Sequence, residues 1–173
     1  MDLQNKAAVI GGLNADIWGR PFGPIILRDS NPGSVTLTPG GVGRNIAHDL
    51  CLLGLDVSLV SAVGDDSNGE FLLDRCRGLG MDVSRVRVVP GARSSSYLYI
   101  TDERGDMQLA VNDMAVCNEI SPEYLERVLP GIQAGALVLD TNLPVESLEF
   151  ICRSSCIPLY ADPVSSVKAM KLH

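Results

Sequence analysis

Gly40-Gly41-Val42-Gly43-Arg44-Asn45-Ile46-Ala47 decides how the rest of the chain is read. Upstream, Val35 and Leu37 alternate with threonines, the period of a strand, and Pro39-Gly40-Gly41 ends that run. Downstream the period changes: Ile46, Ala47, Leu50, Cys51 and Leu53 fall on one helical face, with Gly54 placed as a stop. A glycine-rich turn that opens a helix leaves its N–H groups and positive end clear of side chains, so an oxygen-rich ligand can approach. Asn45 carries a donor and acceptors, the combination that reads a pair of sugar hydroxyls. The plainer alternative is a tight turn whose Asn45 only caps the helix. Spacing alone leaves both open.

Working outward, Ala7 to Ile10 is a short apolar run stopped by Gly11-Gly12, as suits a buried parallel strand. Val57 to Val63 and Val83 to Val89 read as strands, separated by a helix for which Ser67 and Glu70 have capping-box spacing and Gly78 or Gly80 marks the end. Ser94 to Thr101 and Met107 to Val111 flank the charged tip Asp102-Glu103-Arg104-Gly105-Asp106, a hairpin pattern. Ser121-Pro122-Glu123 starts a helix, Ala136 to Leu139 is a strand, Val145 to Arg153 a helix, and Ile157 to Ala161 a strand running into Asp162-Pro163. Helices alternating with strands mean an α/β fold with a mainly parallel sheet. The segments 18–38 and 94–111 break the alternation and read as strands of a separate small sheet.

The 173 residues are 46% hydrophobic but only 5% aromatic, so aliphatic side chains must fill the core. A net charge of −7 argues against partners with an anionic backbone or surface: no nucleic acid and no membrane, but a small molecule or another protein. No apolar run approaches the roughly 18 residues of a spanning helix and the first residues carry no export signal, so the chain reads as cytoplasmic. Five scattered cysteines and two histidines imply buried free thiols and no metal site.

In open parallel sheets ligands bind beyond the carboxyl ends of the strands. Four stretches lie there: Gly11 to Asp16, Gly40 to Asn45, Asp140-Thr141-Asn142, and Asp162-Pro163. Asp16 offers a fixed acceptor for hydroxyls. A dinucleotide fingerprint fails because Ile46 stands where its third glycine belongs, and no phosphate loop of the G-x-x-x-x-G-K-[ST] type occurs. His48 falls mid-helix and is read as packing or solvent-facing.

Residues 40–47, with Gly54, Gly64, Asn14, Asp16 and Val63-Gly64-Asp65, resemble the N-terminal signature of the ribokinase (PfkB) family of carbohydrate and nucleoside kinases. Within that family the likeness is to pseudouridine kinases, carried by Asp29-Ser30-Asn31-Pro32-Gly33, Thr38 to Ala47, Ser95-Ser96-Tyr97-Leu98, Asn112-Asp113-Met114 and Ala161-Asp162-Pro163-Val164-Ser165. The resemblance implies a ribokinase-like three-layer α/β/α fold. It further implies that residues 1–173 are the N-terminal part of one kinase domain, with a β-lid from about 18–38 and 94–111. The implied reaction is transfer of the γ-phosphoryl of ATP to the 5′-hydroxyl of pseudouridine with Mg²⁺. By position, Asp16 and Asn45 would hold the ribose 2′- and 3′-hydroxyls, Gly40 and Gly41 would let the sugar approach, and Asn14 would line the pocket. Ser96, Asn112 and Asp113 would face the base, and Lys168 is expected in solvent.

The family's Gly-Ala-Gly-Asp run, which supplies the base and an anion-stabilising helix start, is missing: Gly91-Ala92 is followed by Arg93 and Gly135-Ala136 by Leu137. The expectation is therefore a nucleoside-binding half without catalytic residues, inactive alone and not binding ATP or Mg²⁺ tightly. A sheet left uncovered at an edge should make the chain unstable or self-associating, with homo-oligomerisation through the lid or that edge. The alternatives are a kinase for another nucleoside or sugar, and a non-catalytic nucleoside-binding module.

Overall fold

The computed structural model describes residues 3–172. Five strands form one all-parallel sheet: β1 (Lys6–Ile10), β4 (Asp56–Gly64), β5 (Asp82–Val89), β8 (Ala136–Asp140) and β9 (Leu159–Asp162), in the order β5-β4-β1-β8-β9. β1 is central and, after Lys6, apolar because both its faces are covered. Its alternation feeds two cores. Ala8 and Ile10 join Val60, Leu125, Leu139, Leu148 and Ile151 under α3 (Pro122–Val128) and α4 (Val145–Ser154). Val9 joins Leu13, Ala47, Leu59, Leu72 and Cys76 under α1 (Val42–Leu52) and α2 (Ser67–Gly78). This is the expected α/β/α layering. The short α5 (Ser166–Ala169) follows β9.

The out-of-register segments form a second sheet of β2 (Asn14–Pro21), β3 (Gly33–Gly40), β6 (Ser96–Thr101) and β7 (Met107–Asp113), in the order β3-β2-β6-β7. β2 pairs antiparallel with β3 and parallel with β6, and β6 pairs antiparallel with β7. This sheet starts at Asn14, earlier than the Trp18 read from sequence, because the chain passes from the Gly11-Gly12 turn almost directly into the pairing of Asn14 with Gly40. Among the described residues no helix is long and apolar enough to cross a membrane. All five cysteines are free. Cys76 and Cys117 are buried, whereas Cys152 and Cys156 are exposed, a departure from the expected buried thiols.

Two helix starts differ from their sequence reading. α1 begins at Val42 with Gly41 as its N-cap, so Asn45 lies inside the first turn and is no cap. α2 is capped by Asp66, whose carboxylate accepts from Gly69 N at 2.8 Å. The same carboxylate accepts from Ser94 N at 2.9 Å and Ser94 Oγ at 2.6 Å, tying α2 to the chain entering β6. Burial pushes the Asp66 pKa up, but the Ser94 and Gly69 hydrogen bonds outweigh it and hold the group below the usual carboxylate range. Its stabilisation is thus present above the unfolded-state pKa and is lost as pH falls through the folded-state value. Asp66→Ala should cost about 1–2 kcal/mol in urea unfolding at neutral pH, and the deficit should shrink as wild type and variant are compared at progressively more acidic pH.

Candidate functional site

The turn after β1, the end of β8 with the loop that follows it, and the start of α1 converge on one carboxylate. Asp140, fully buried, accepts from Gly12 N and Gly43 N through Oδ2, each at 2.7 Å, and from Asn142 N through Oδ1 at 2.8 Å. Arg44 N is taken by Gly12 O at 3.0 Å. The first turn of α1 therefore already has an acceptor for its Gly43 N–H, the chain's own Asp140 side chain. The glycines before it have internal reasons. Gly41 sits at φ 98° with Gly12 O and Asn14 Oδ1 where a Cβ would go, and a Cβ on Gly40 would overlap the Asp16 carboxylate.

Asp16 lies on β2 directly beside Tyr97 of β6 and Thr38 of β3. Asn14 Nδ2 donates to Asp16 Oδ1, and Oδ2 faces the bare Cα of Gly40. Burial pushes the Asp16 pKa above the ordinary value, partly offset by the Asn14 hydrogen bond and by Arg44. It is a half-buried acceptor with no salt bridge among the described residues, positioned to take hydrogen bonds from hydroxyl donors.

Asn45 projects from the first turn of α1 and is exposed. Arg44 Nη1 donates to Asn45 Oδ1 at 2.9 Å, leaving the Asn45 amide NH₂ to donate outward. Arg44, buried at 7% exposure, is a positioning residue that the sequence reading passed over, since an arginine in a glycine run reads as surface charge.

The expected base-facing residues divide. Strand alternation places Asn112, opposite Tyr97, on the face of Asp16; Ser96, opposite Asp113 and beside Ala15, lies with Asp113 on the other face. Lys168 departs from its expected place in solvent: its Nζ donates to Asn142 Oδ1, and Lys171 Nζ donates to Thr141 O at 3.0 Å and Leu143 O at 2.8 Å. The loop after β8 is thus held by two lysines, and Asn142 faces Gly12 in the crevice. A residue that follows a strand end was the available signal for Asp140 and Asn142; their partners lie too far along the chain to be seen there. Among the described residues no three His, Cys, Asp or Glu side chains converge as a metal-ligating cluster.

The chain matches the model of the pfkB family carbohydrate kinases over residues 4–172. It is 42% identical over 174 residues to a pseudouridine kinase of Escherichia coli (strain K12), covering 99% of this chain and 56% of that protein. It is 32% identical to a guanosine-inosine kinase of Exiguobacterium acetylicum, over 90% of this chain and 53% of that protein. The crystal structure of ribokinase from Thermotoga maritima superposes with a TM-score of 0.80 at 18% identity, covering 92% of this chain and 53% of that one, which shows a ribokinase-like fold. The chain spans about half the length of the curated relatives it matches. A glycine turn, an Asp16 acceptor and an oriented Asn45 on this fold are the features that the family match spans, and the chain belongs to the pfkB family of carbohydrate kinases.

Proposed function

We infer that this chain forms the nucleoside-binding part of a kinase that phosphorylates the 5′-hydroxyl of pseudouridine with ATP. The observation that carries the reading is the Asp16 carboxylate, half-buried, without a salt bridge among the described residues and flanked by the bare Cα of Gly40. A carboxylate so placed accepts from the ribose 2′- and 3′-hydroxyls, and the Asn45 amide, aimed by Arg44, donates to one of the same oxygens. Asn14 fixes the rotamer of Asp16, and Asn112 lies on the same face of the small sheet.

In the reaction the 5′-oxygen bonds to the γ-phosphorus, the bond to the β–γ bridging oxygen breaks, ADP leaves, and the 5′-hydroxyl proton passes to a base. Mg²⁺ neutralises phosphate charge when bound. This chain's residues do the positioning: they hold the ribose by two hydroxyls so that the 5′-hydroxyl is presented at a fixed place. The sequence holds no Gly-Ala-Gly-Asp run, so the role assigned to it is binding.

Pseudouridine as the substrate is supported by the 42% identity over nearly the whole chain to a pseudouridine kinase. The second reading, a kinase for another nucleoside, is favoured by the guanosine-inosine kinase relative, which shares the ribose problem but not the base. Calorimetric titration with pseudouridine, uridine, guanosine and ribose separates them. Pseudouridine should bind tightest; guanosine binding more tightly than pseudouridine would transfer the assignment to the second reading.

A further inference from the structure

The face of the small sheet that carries Asp16 also carries an aromatic stripe. Register and alternation put Tyr97 beside Asp16, then Trp18 beside Tyr99 one row farther along the strands. The Tyr97 and Tyr99 rings lie 5.5 Å apart at 37°, and Tyr99 and Trp18 stack 6.3 Å apart at 9°. Trp18 Nε1 donates to Thr101 Oγ1 at 2.9 Å and the Tyr97 hydroxyl to Met107 Sδ at 3.4 Å, which hold the outer ring edges in place. None of the three rings belongs to either core, and all remain half-exposed. The opposite face of the same strands carries Ile17, Leu98 and Ile100, ordinary aliphatics. In a chain with 5% aromatic residues, three rings in register on the Asp16 side of one small sheet are not accounted for by either hydrophobic core.

We propose that Tyr97 and Tyr99, backed by Trp18, form a stacking platform for the nucleobase of a nucleoside whose ribose sits at Asp16, so that the small sheet selects nucleosides over free sugars. This rests on the reading of the Asp16 site given above. The spacing fits: two residues along a strand advance about 6.6 Å, comparable to the step from the centre of a ribose to its base. Stacking on an aromatic face accepts any base, so the platform sets the ligand class, while polar neighbours such as Asn112 are left to choose among bases. All three side chains keep part of their surface open to solvent, as a platform requires.

Trp18 is the only tryptophan, so its emission reports on the stripe without labelling. Pseudouridine and uridine should change that emission on binding, whereas saturating ribose should leave it unchanged. Tyr97→Leu should weaken pseudouridine about tenfold and narrow the ratio of pseudouridine to ribose affinity, the effect of losing one base–aromatic stack. Tyr97→Phe, which keeps the ring, should preserve the ratio. Identical Trp18 responses to ribose and pseudouridine, or a ratio that Tyr97→Leu leaves unmoved, would overturn the platform while leaving the ribose site standing. Failure of both ligands to bind the unaltered chain would overturn the site reading and the platform with it.

Discussion

Asp140→Ala should destabilise the chain by about 3–6 kcal/mol, a large part of the roughly 5–15 kcal/mol that holds an ordinary domain together. Asp140 accepts from three backbone N–H groups while fully buried, and its removal leaves the Gly12 and Gly43 donors without an acceptor in a place water does not reach. Each orphaned buried donor costs about 1–3 kcal/mol, and the void left by the carboxylate adds to it. The effect is also topological. One side chain at the end of β8 pins the turn after β1 to the first turn of α1, so the strands and helix that frame the crevice lose their common tether. Asp140→Asn keeps the volume but offers one oxygen in place of two, and its stability should fall between wild type and Asp140→Ala. Urea unfolding followed by far-ultraviolet circular dichroism measures both; a loss below about 1 kcal/mol for the alanine variant would show that Asp140 is not the tether.

Asp16→Ala should lower pseudouridine affinity at least about a hundredfold without a matching loss of stability. Hydrogen bonds to a charged group contribute about 1.5–3 kcal/mol each, and two ribose hydroxyls share this one. Stability should move the other way. Burial raises the folded-state pKa of Asp16, so the ionised group opposes folding at neutral pH, and that opposition fades as pH falls through the window between the raised folded value and the unfolded one. Asp16→Asn should therefore unfold at equal or higher urea than wild type while binding worse, the opposition between function and stability expected of a site residue. Binding needs the carboxylate, so in wild type it should be lost on acidification earlier than an ordinary, exposed aspartate would allow.

The layering was legible because its signals are local. Ala7 to Ile10 is apolar because it is buried on both faces, and the change from alternation at Val35 and Leu37 to a helical face at Ile46 and Ala47 places the turn between β3 and α1. The candidate site was legible only in part. Asp16 and Asn45 could be picked out as candidates from their residue types and places, but the partner of Gly43 could not: the acceptor for its N–H stands 97 residues away in sequence. Ser96 and Asp113 show the cost of an unknown register. Moving one position along a strand reverses the face, and only the pairing of Asp16 with Tyr97 tells which residues share it. The same pairing brings out Trp18, Tyr97 and Tyr99, whose alternation was present in the sequence but had no partner strand to give it meaning. At α2 the capping-box spacing pointed to Ser67, one residue late, because Asp66 gains from Ser94, a contact no local pattern contains.

The role proposed for Asp16 and Asn45 is to hold a ribose by its 2′- and 3′-hydroxyls. Titration calorimetry of the wild-type chain with pseudouridine and with 2′-deoxypseudouridine tests it most directly, because the two ligands present the same base and the same 5′-hydroxyl. The deoxy ligand should bind at least about tenfold more weakly, the loss of one charge-assisted hydrogen bond. Equal affinities would contradict the assignment of Asp16 to the ribose.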